Sequence, residues 1–308
     1  MPRGDPQAPV PPRRAATPSI WIILAVPPLF WAGNFVIGRA LHADIHPLAL
    51  TFWRWVVAAA VLLPFTITDA WRRRATLRRH WPLLVVLCLS GIVAFQYVVY
   101  QGLQTTTAIN GVLIIATIPV AIPITAFLLD GTTISARQAL GIAISFAGVA
   151  IVILKGDVRF AEGLRFLAGD LWVCLAVPAW SIYSVLIRRR PNDLPPLTLL
   201  FVTVVLGIVL LAPGYALEQS VLGGFQPTVQ TLAAIGYVGV FASVIAFACW
   251  NHGVAAVGAA KAGLFIHLMP VFAAILAVLF LGEQLHQFHV IGVIAIALGI
   301  WCSSTARR

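Results

Sequence analysis

Charge is scarce in this sequence. Only 10% of its 308 residues are Asp, Glu, Lys or Arg, against roughly a quarter in ordinary soluble domains. Sixty per cent are hydrophobic, and the mean hydropathy is +0.96. A soluble fold keeps a polar skin, and a disordered chain is polar throughout, so both classes are excluded. The four cysteines, Cys88, Cys174, Cys249 and Cys302, show no CxxC spacing. That argues against a disulfide framework and a zinc site. HExxH, the nucleotide-binding P-loop and a paired-Asp motif for magnesium diphosphate are all absent. An enzyme working within the membrane would lack its usual groups, so no catalysis, cofactor or metal is expected.

Long apolar runs are what the sequence has instead. About 20 apolar residues span the hydrocarbon core as a helix. Ten segments qualify: 18–38, 47–67, 82–103, 107–129, 135–154, 170–188, 196–217, 229–251, 259–281 and 287–305. Residues 1–17, rich in Pro and Arg, read as a disordered cytoplasmic tail; the run after them has no small-residue cleavage site and reads as an anchor. A net charge of +10 would suggest nucleic acid in a soluble protein. Here it follows loop orientation. With the N-terminus inside, one side collects fourteen Lys and Arg, including Arg72-Arg73-Arg74 and Arg188-Arg189-Arg190. The other side has four: Arg39, Lys155, Arg159 and Arg165. Positive loops stay cytoplasmic, so both termini are expected inside a cell inner membrane, with lipid as surroundings and no nucleic-acid partner. Trp71, Trp81 and Trp301 fall near the interfaces.

The halves match each other. At an offset of 149, Trp31 aligns with Trp180, Arg39 with Arg188, Pro47-Leu48 with Pro196-Leu197, Phe52 with Phe201 and Pro64 with Pro213. At 151, Gly102 aligns with Gly253, Ala108 with Ala259, Leu113 with Leu264 and Pro119 with Pro270. Gly131, Gly141 and Gly148 then meet Gly282, Gly292 and Gly299. Chance apolar similarity does not keep Pro, Gly and Trp in register. Each half holds five spans, an odd number, so the repeats are inverted, as in secondary transporters that rock around a midplane site. The expected organisation is a tail at 1–17, a first five-helix repeat at 18–155 and a second at 170–305.

This pattern resembles the EamA family of the drug/metabolite transporter superfamily. The motifs are Phe30-Trp31-Ala32-Gly33-Asn34-Phe35 in span one, Trp180-Ser181-Ile182-Tyr183-Ser184 in span six and Leu281-Gly282-Glu283 before span ten. Asp130-Gly131-Thr132, the first-half turn, departs from the usual Gly-Glu. Length and an aromatic-rich interior are most similar to YddG-type amino-acid exporters. The resemblance implies amino acids, aromatic ones included, moving outward by alternating access, through a chain that works as a monomer.

Polar groups inside spans are expensive and face a cavity or a neighbouring helix. Asn34 shares a face with Trp31, and either binds solute or ties two helices. Span three carries Gln96 and Tyr100 on one stripe beside Tyr97, Gln101 and Gln104, too much polarity for lipid contact. Asn110 opens span four and, like Gln104, either lines a cavity or reaches the interface. Trp180 and Tyr183 are the counterparts of Trp31 and Asn34; with Trp250 and Asn251 they would form an aromatic-and-amide pocket, unless Trp250 is an interfacial anchor. His267, three residues before Pro270, either meets a substrate carboxylate or bonds a neighbouring helix. Arg54 snorkels, pairs within the bundle or, as the less favoured reading, binds a carboxylate. Lys261 snorkels or contacts solute. Pro28, Pro119, Pro123, Pro178 and Pro270 mark kinks or hinges. No Asp or Glu falls at mid-membrane, which leaves ion coupling without an obvious carrier.

Three other functions compete with amino-acid export. A carrier for another metabolite or a drug-like cation differs only in solute. Phosphorylated sugars would want several cavity cations. A membrane enzyme acting on a lipid-linked substrate is the third.

Overall fold

A computed structural model describes residues 18–154, 167–281 and 286–305. The tail at 1–17, the charges Lys155, Arg159 and Arg165 and the Gly282-Glu283 turn lie outside the described residues. Ten helices are long and apolar enough to cross a membrane: Ser19–Ala40, Pro47–Arg72, Trp81–Leu103, Ala108–Asp130, Ala136–Ile153, Ala168–Arg189, Pro196–Leu222, Val229–Val257, Ala259–Leu276 and Gln287–Ser304. Helices satisfy their own backbone groups, which hydrocarbon demands. Among the described residues there is no strand. Spans two, seven and eight run past their expected ends, to Arg72, Leu222 and Val257. An even number of spans brings both ends of the bundle to one face, the terminal face.

Local chemistry sets the helix starts. Pro47 and Pro196, repeat equivalents, each occupy a first turn where a missing N–H costs nothing. Ser135 and Gln138 form a reciprocal capping box at span five. Gly131, at φ 63°, takes the left-handed conformation that ends span four. The departure from the motif at Asp130 has a partner: its carboxylate accepts a hydrogen bond from Arg189, joining the ends of spans four and six.

The inverted repeat is visible in where the helices are irregular. Span three contains a π-helical stretch at Cys88–Ala94, and span eight contains one at Val240–Ile245, its near-equivalent at an offset of 151. Such stretches free backbone carbonyls. Trp55 Nε1 donates to Ile92 O at 2.9 Å, and Trp31 Nε1 donates to Ala242 O at 3.1 Å. Span four is interrupted between Ile115 and Ile118, beside Pro119; span nine tightens to a 3₁₀ helix over Leu264–Leu268, beside Pro270. Pro27, Pro28 and Pro178 lie within uninterrupted helices. Spans five and ten cross antiparallel at their glycines. A Cβ on Gly141 would sit 2.6 Å from Gly299 O, and one on Gly148 2.8 Å from Gly292 O. These pairs exchange partners under the repeat relation, as a two-fold axis between antiparallel helices requires. The core lies between the halves, around Trp55, Trp180, Tyr183 and Trp250. Trp71, Trp81 and Trp301 are exposed, as in an aromatic belt.

Candidate functional site

The centre of the bundle is built around Arg54, for which the sequence favours snorkelling or pairing within the bundle over carboxylate binding. Its side chain does not snorkel; it is fully buried. Its Nε donates to Ser243 Oγ at 2.9 Å. Its Nη1 donates to Gln96 Oε1 and Tyr100 Oη, both at 2.6 Å, and reaches Asn34 Oδ1 at 3.3 Å. Tyr100 passes its own proton to Asn34 Oδ1 at 2.6 Å, and Ser243 passes its own to Val238 O at 2.7 Å. One guanidinium in span two therefore gathers acceptors from spans one, three and eight. All of these acceptors are neutral. Burying an ion costs several kcal/mol unless a counter-charge answers it, and here the charge is met by dipoles, with rings of Trp55 and Tyr100 5.0 and 5.7 Å from the guanidinium carbon. Its Nη2 has no acceptor among the described residues.

An aromatic wall stands against this polar group. Trp180 packs on Trp31 (5.0 Å between centroids), Phe95 (4.6 Å), Phe247 (5.2 Å), Tyr183 (5.2 Å) and Trp250 (5.5 Å). Trp250 is buried in the cluster, not anchored at an interface. Tyr183 donates to Asn251 Oδ1 at 2.9 Å. Trp180 Nε1, Trp250 Nε1, Asn251 Nδ2 and Ser184 Oγ are buried without hydrogen-bond partners among the described residues. Such groups are rare in native interiors because each gives up water for nothing.

Wall and polar group meet at a closed cavity of about 10 Å³, lined by Trp31, Asn34, Gln96 and Trp180 with apolar neighbours. It is no larger than a single water needs, so the protein is closed at its centre. A recess of about 350 Å³ opens at the terminal face between Trp21, Gln138, Arg188, Lys261 and Ser304, the size range of small-molecule sites.

The other expected residues lie away from the centre. Asn110 Nδ2 donates to both carboxylate oxygens of Asp170, at 3.3 and 3.1 Å, at the face opposite the termini; Thr106 and the Leu167 amide bond the same carboxylate. This fastens span four to span six. His267 is buried between spans, with Nε2 2.9 Å from Ala116 O and Nδ1 2.6 Å from Ser145 Oγ. The carbonyl can only accept, so Nε2 carries the proton and the serine donates to Nδ1. Ala116 and His267 are themselves equivalents at offset 151. The histidine thus joins the two interrupted helices at their breaks, next to Pro119 and Pro270. Lys261 Nζ donates to Ser304 O at 2.8 Å, capping span ten. Arg39 caps span three through Leu103 O and Gln104 O. Among the described residues, carboxylates within spans lie near their ends, at Asp69, Asp130, Asp170 and Glu218, and no His, Cys, Asp or Glu grouping suits a metal.

Outside the spans, Thr76 Oγ1 donates to Asp193 Oδ2 at 2.6 Å, linking the two basic loops of the terminal face. That bond, aided by Arg73 and His80, holds the Asp193 carboxyl below the usual carboxylate range.

Ten apolar spans in two inverted halves, closed on a buried polar centre, define a multi-pass membrane protein of the inverted-repeat kind. The model of the EamA-like transporter family matches residues 18–154 and 167–305. The chain belongs to that family and is a membrane transporter. It is similar to the uncharacterized transporter YyaM of Bacillus subtilis (strain 168), 29% identical over 290 residues that make up 94% of this chain and 95% of that one. It is also similar to an uncharacterized transporter of Archaeoglobus fulgidus, 27% identical over 289 residues, 93% and 98% of the respective chains. A solved crystal structure superposes with a TM-score of 0.73 at 20% identity, covering 94% of this chain and 97% of its own; that likeness concerns the fold.

Proposed function

We propose that the protein exports amino acids, aromatic ones included, across the cytoplasmic membrane by alternating access. The observation that carries this reading is the junction at the bundle centre. A permanently charged guanidinium stands beside a wall of indole and phenol rings, with orphaned donors on both. An amino acid presents the complementary pair: a carboxylate and, in the aromatic members, a ring that stacks on Trp and Phe. The central cavity of about 10 Å³ is at least ~30-fold smaller than a small-molecule site, so the halves must part to load a solute. Their breaks at Ala116–Thr117 and Leu264–Leu268 supply equivalent hinges. Loop charge supports cytoplasmic termini, which puts the 350 Å³ recess on the cytoplasmic side, where an exporter loads. The outward direction rests on the resemblance to amino-acid exporters. A drug-like cation as solute is disfavoured by the buried guanidinium, and a non-enzymatic carrier by itself accounts for the site. Lipid is the remaining partner, and one chain supplies the whole central site.

The test is uptake of labelled amino acids by proteoliposomes holding wild type, Trp180→Ala or Asn34→Ala, with and without a proton gradient. Saturable phenylalanine flux that both folded variants lose is expected. Flux insensitive to the gradient fits the lack of a mid-span carboxylate among the described residues. Absence of flux for every amino acid would refute the substrate assignment.

A further inference from the structure

We infer that Arg54 is the anchor for the carboxylate of the transported solute. The inference rests on the reading of the chain as an amino-acid carrier and narrows it to one atom group. Three observations carry it. First, Arg54 is fully buried and its hydrogen-bond partners are all neutral. A guanidinium kept only to tie helices together would be served at lower cost by a neutral donor, because desolvating the charge is the expensive part. Second, Nη2 has no acceptor among the described residues. Arginine offers two parallel N–H groups to a carboxylate in a planar fork, and here Nη1 is engaged by Asn34, Gln96 and Tyr100 while Nη2 is idle. Third, two of the three groups holding Nη1 belong to the wall of the closed cavity: Asn34 and Gln96 line it beside Trp31 and Trp180.

These neutral oxygens act as stand-ins. A carboxylate arriving at the guanidinium adds a counter-charge and a bidentate fork, which neutral oxygens lack, and displaces them. Asn34 in span one and Gln96 and Tyr100 in span three then lose their hold on span two. Binding thereby frees spans one and three from span two within the first half, while Arg54 Nε keeps its bond to Ser243 of the second. A dianionic phosphate would want a second cation. Among the described residues no other Lys or Arg stands in a span away from its ends; Lys261, the third residue of span nine, is at the terminal face on Ser304 O.

Calorimetric titration of the purified full-length protein in detergent tests this with three ligands: phenylalanine, 3-phenylpropionate, which keeps the carboxylate alone, and phenethylamine, which keeps the ammonium alone. The first two are expected to bind and the third not. Arg54→Lys keeps the charge but loses the fork, and should weaken phenylalanine and phenylpropionate together by about tenfold or more. Phenethylamine bound as tightly as phenylalanine by wild type overturns the anchor without any variant. So does a folded Arg54→Lys or Arg54→Gln protein with undiminished affinity. An arginine with a purely structural role would lower folded yield and spare the preference for acid over amine. Phenylpropionate bound while no amino acid binds or moves would keep the anchor and refute the amino-acid reading. Phenylalanine flux untouched by Arg54→Lys would do the reverse.

Discussion

The two halves are built to one plan and diverge where they face each other. Arg54 of span two corresponds to Thr203 of span seven, and Gln96 of span three to Phe247 of span eight. Thr203 is also buried, but its hydroxyl returns to its own helix, to Leu199 O and Leu200 O. A tyrosine–asparagine pair survives in both halves with the residues exchanged. Asn34 of span one receives the proton of Tyr100 in span three, and in the second half Tyr183 of span six donates to Asn251 of span eight. The scaffold therefore conserves the bond while moving the ring from one helix to the other. The first half supplies the guanidinium, and the second supplies Trp180, Tyr183, Phe247 and Trp250 of the ring wall, which Trp31 and Phe95 of the first half complete. A site with a cationic end and an apolar end grips an asymmetric solute in one orientation, which two identical halves would not do.

The largest expected effect comes from erasing that difference. Thr203→Arg places a second guanidinium at the repeat-equivalent position, in a half that has Phe247 where the first has Gln96. It should destabilise the protein by roughly 2.5–3.5 kcal/mol, the insertion penalty of a central arginine, read as lost folded yield and a lower melting temperature in detergent. Wild-type stability in this variant would mean that the halves do not differ in what they can hold.

A finer comparison removes one hydroxyl from each tyrosine–asparagine pair. Tyr100→Phe loses a bond from a charged donor as well as the proton given to Asn34, and should cost about 1.5–3 kcal/mol. Tyr183→Phe loses one neutral bond, and about 0.6 kcal/mol is expected. Unfolding titrations of both variants check the order, and equal losses would contradict the unequal roles.

The hinge pair offers a third comparison, since one repeat contributes a carbonyl at Ala116 and the other a ring at His267. His267→Leu should cost about 1–2 kcal/mol by leaving that carbonyl and Ser145 unanswered. His267→Gln, whose amide reaches the Nε2 position, should cost less, and a transport assay should show the same ranking.

The smallest effect lies outside the membrane. Thr76→Val should return the Asp193 carboxyl toward its ordinary range, seen as an upward move of its titration by NMR. A carboxylate held low in the folded state adds stability above its unfolded pKa, and the contribution fades as pH falls through the folded one. The acid limb of the pH–stability curve is where wild type and variant should part.

Much of this fold was legible in the sequence, because hydrocarbon admits only long apolar helices and because Pro and Gly keep their register across the repeat. Trp31, Asn34, Gln96, Tyr100, Trp180, Tyr183, Trp250 and Asn251 were all expected at a pocket, and the structure brings them to the centre. Asn110, which reads as cavity lining or interfacial, bonds Asp170, and His267, which reads as solute ligand or helix tie, makes the tie at the hinge pair. Nothing along the chain distinguishes a solute ligand from a helix tie when both are single polar residues in apolar runs. Arg54 was undervalued for a related reason: a lone mid-span arginine reads equally as a snorkelling side chain until its depth is known. The one available signal was its isolation, a charge with no neighbouring polar residue to excuse it. The π-helical stretches at Cys88–Ala94 and Val240–Ile245 left no pattern in the sequence, since apolar residues lead into and out of them.

In the proposed reading the Arg54 guanidinium holds the charged end of the solute and the ring wall centred on Trp180 holds the apolar end. The most direct measurement is the affinity of phenylalanine and of alanine for wild type, Arg54→Lys and Trp180→Ala. Arg54→Lys should weaken both solutes by the same factor, whereas Trp180→Ala should weaken phenylalanine and spare alanine. Equal weakening of both solutes by Trp180→Ala, or loss of phenylalanine alone with Arg54→Lys, would contradict that reading.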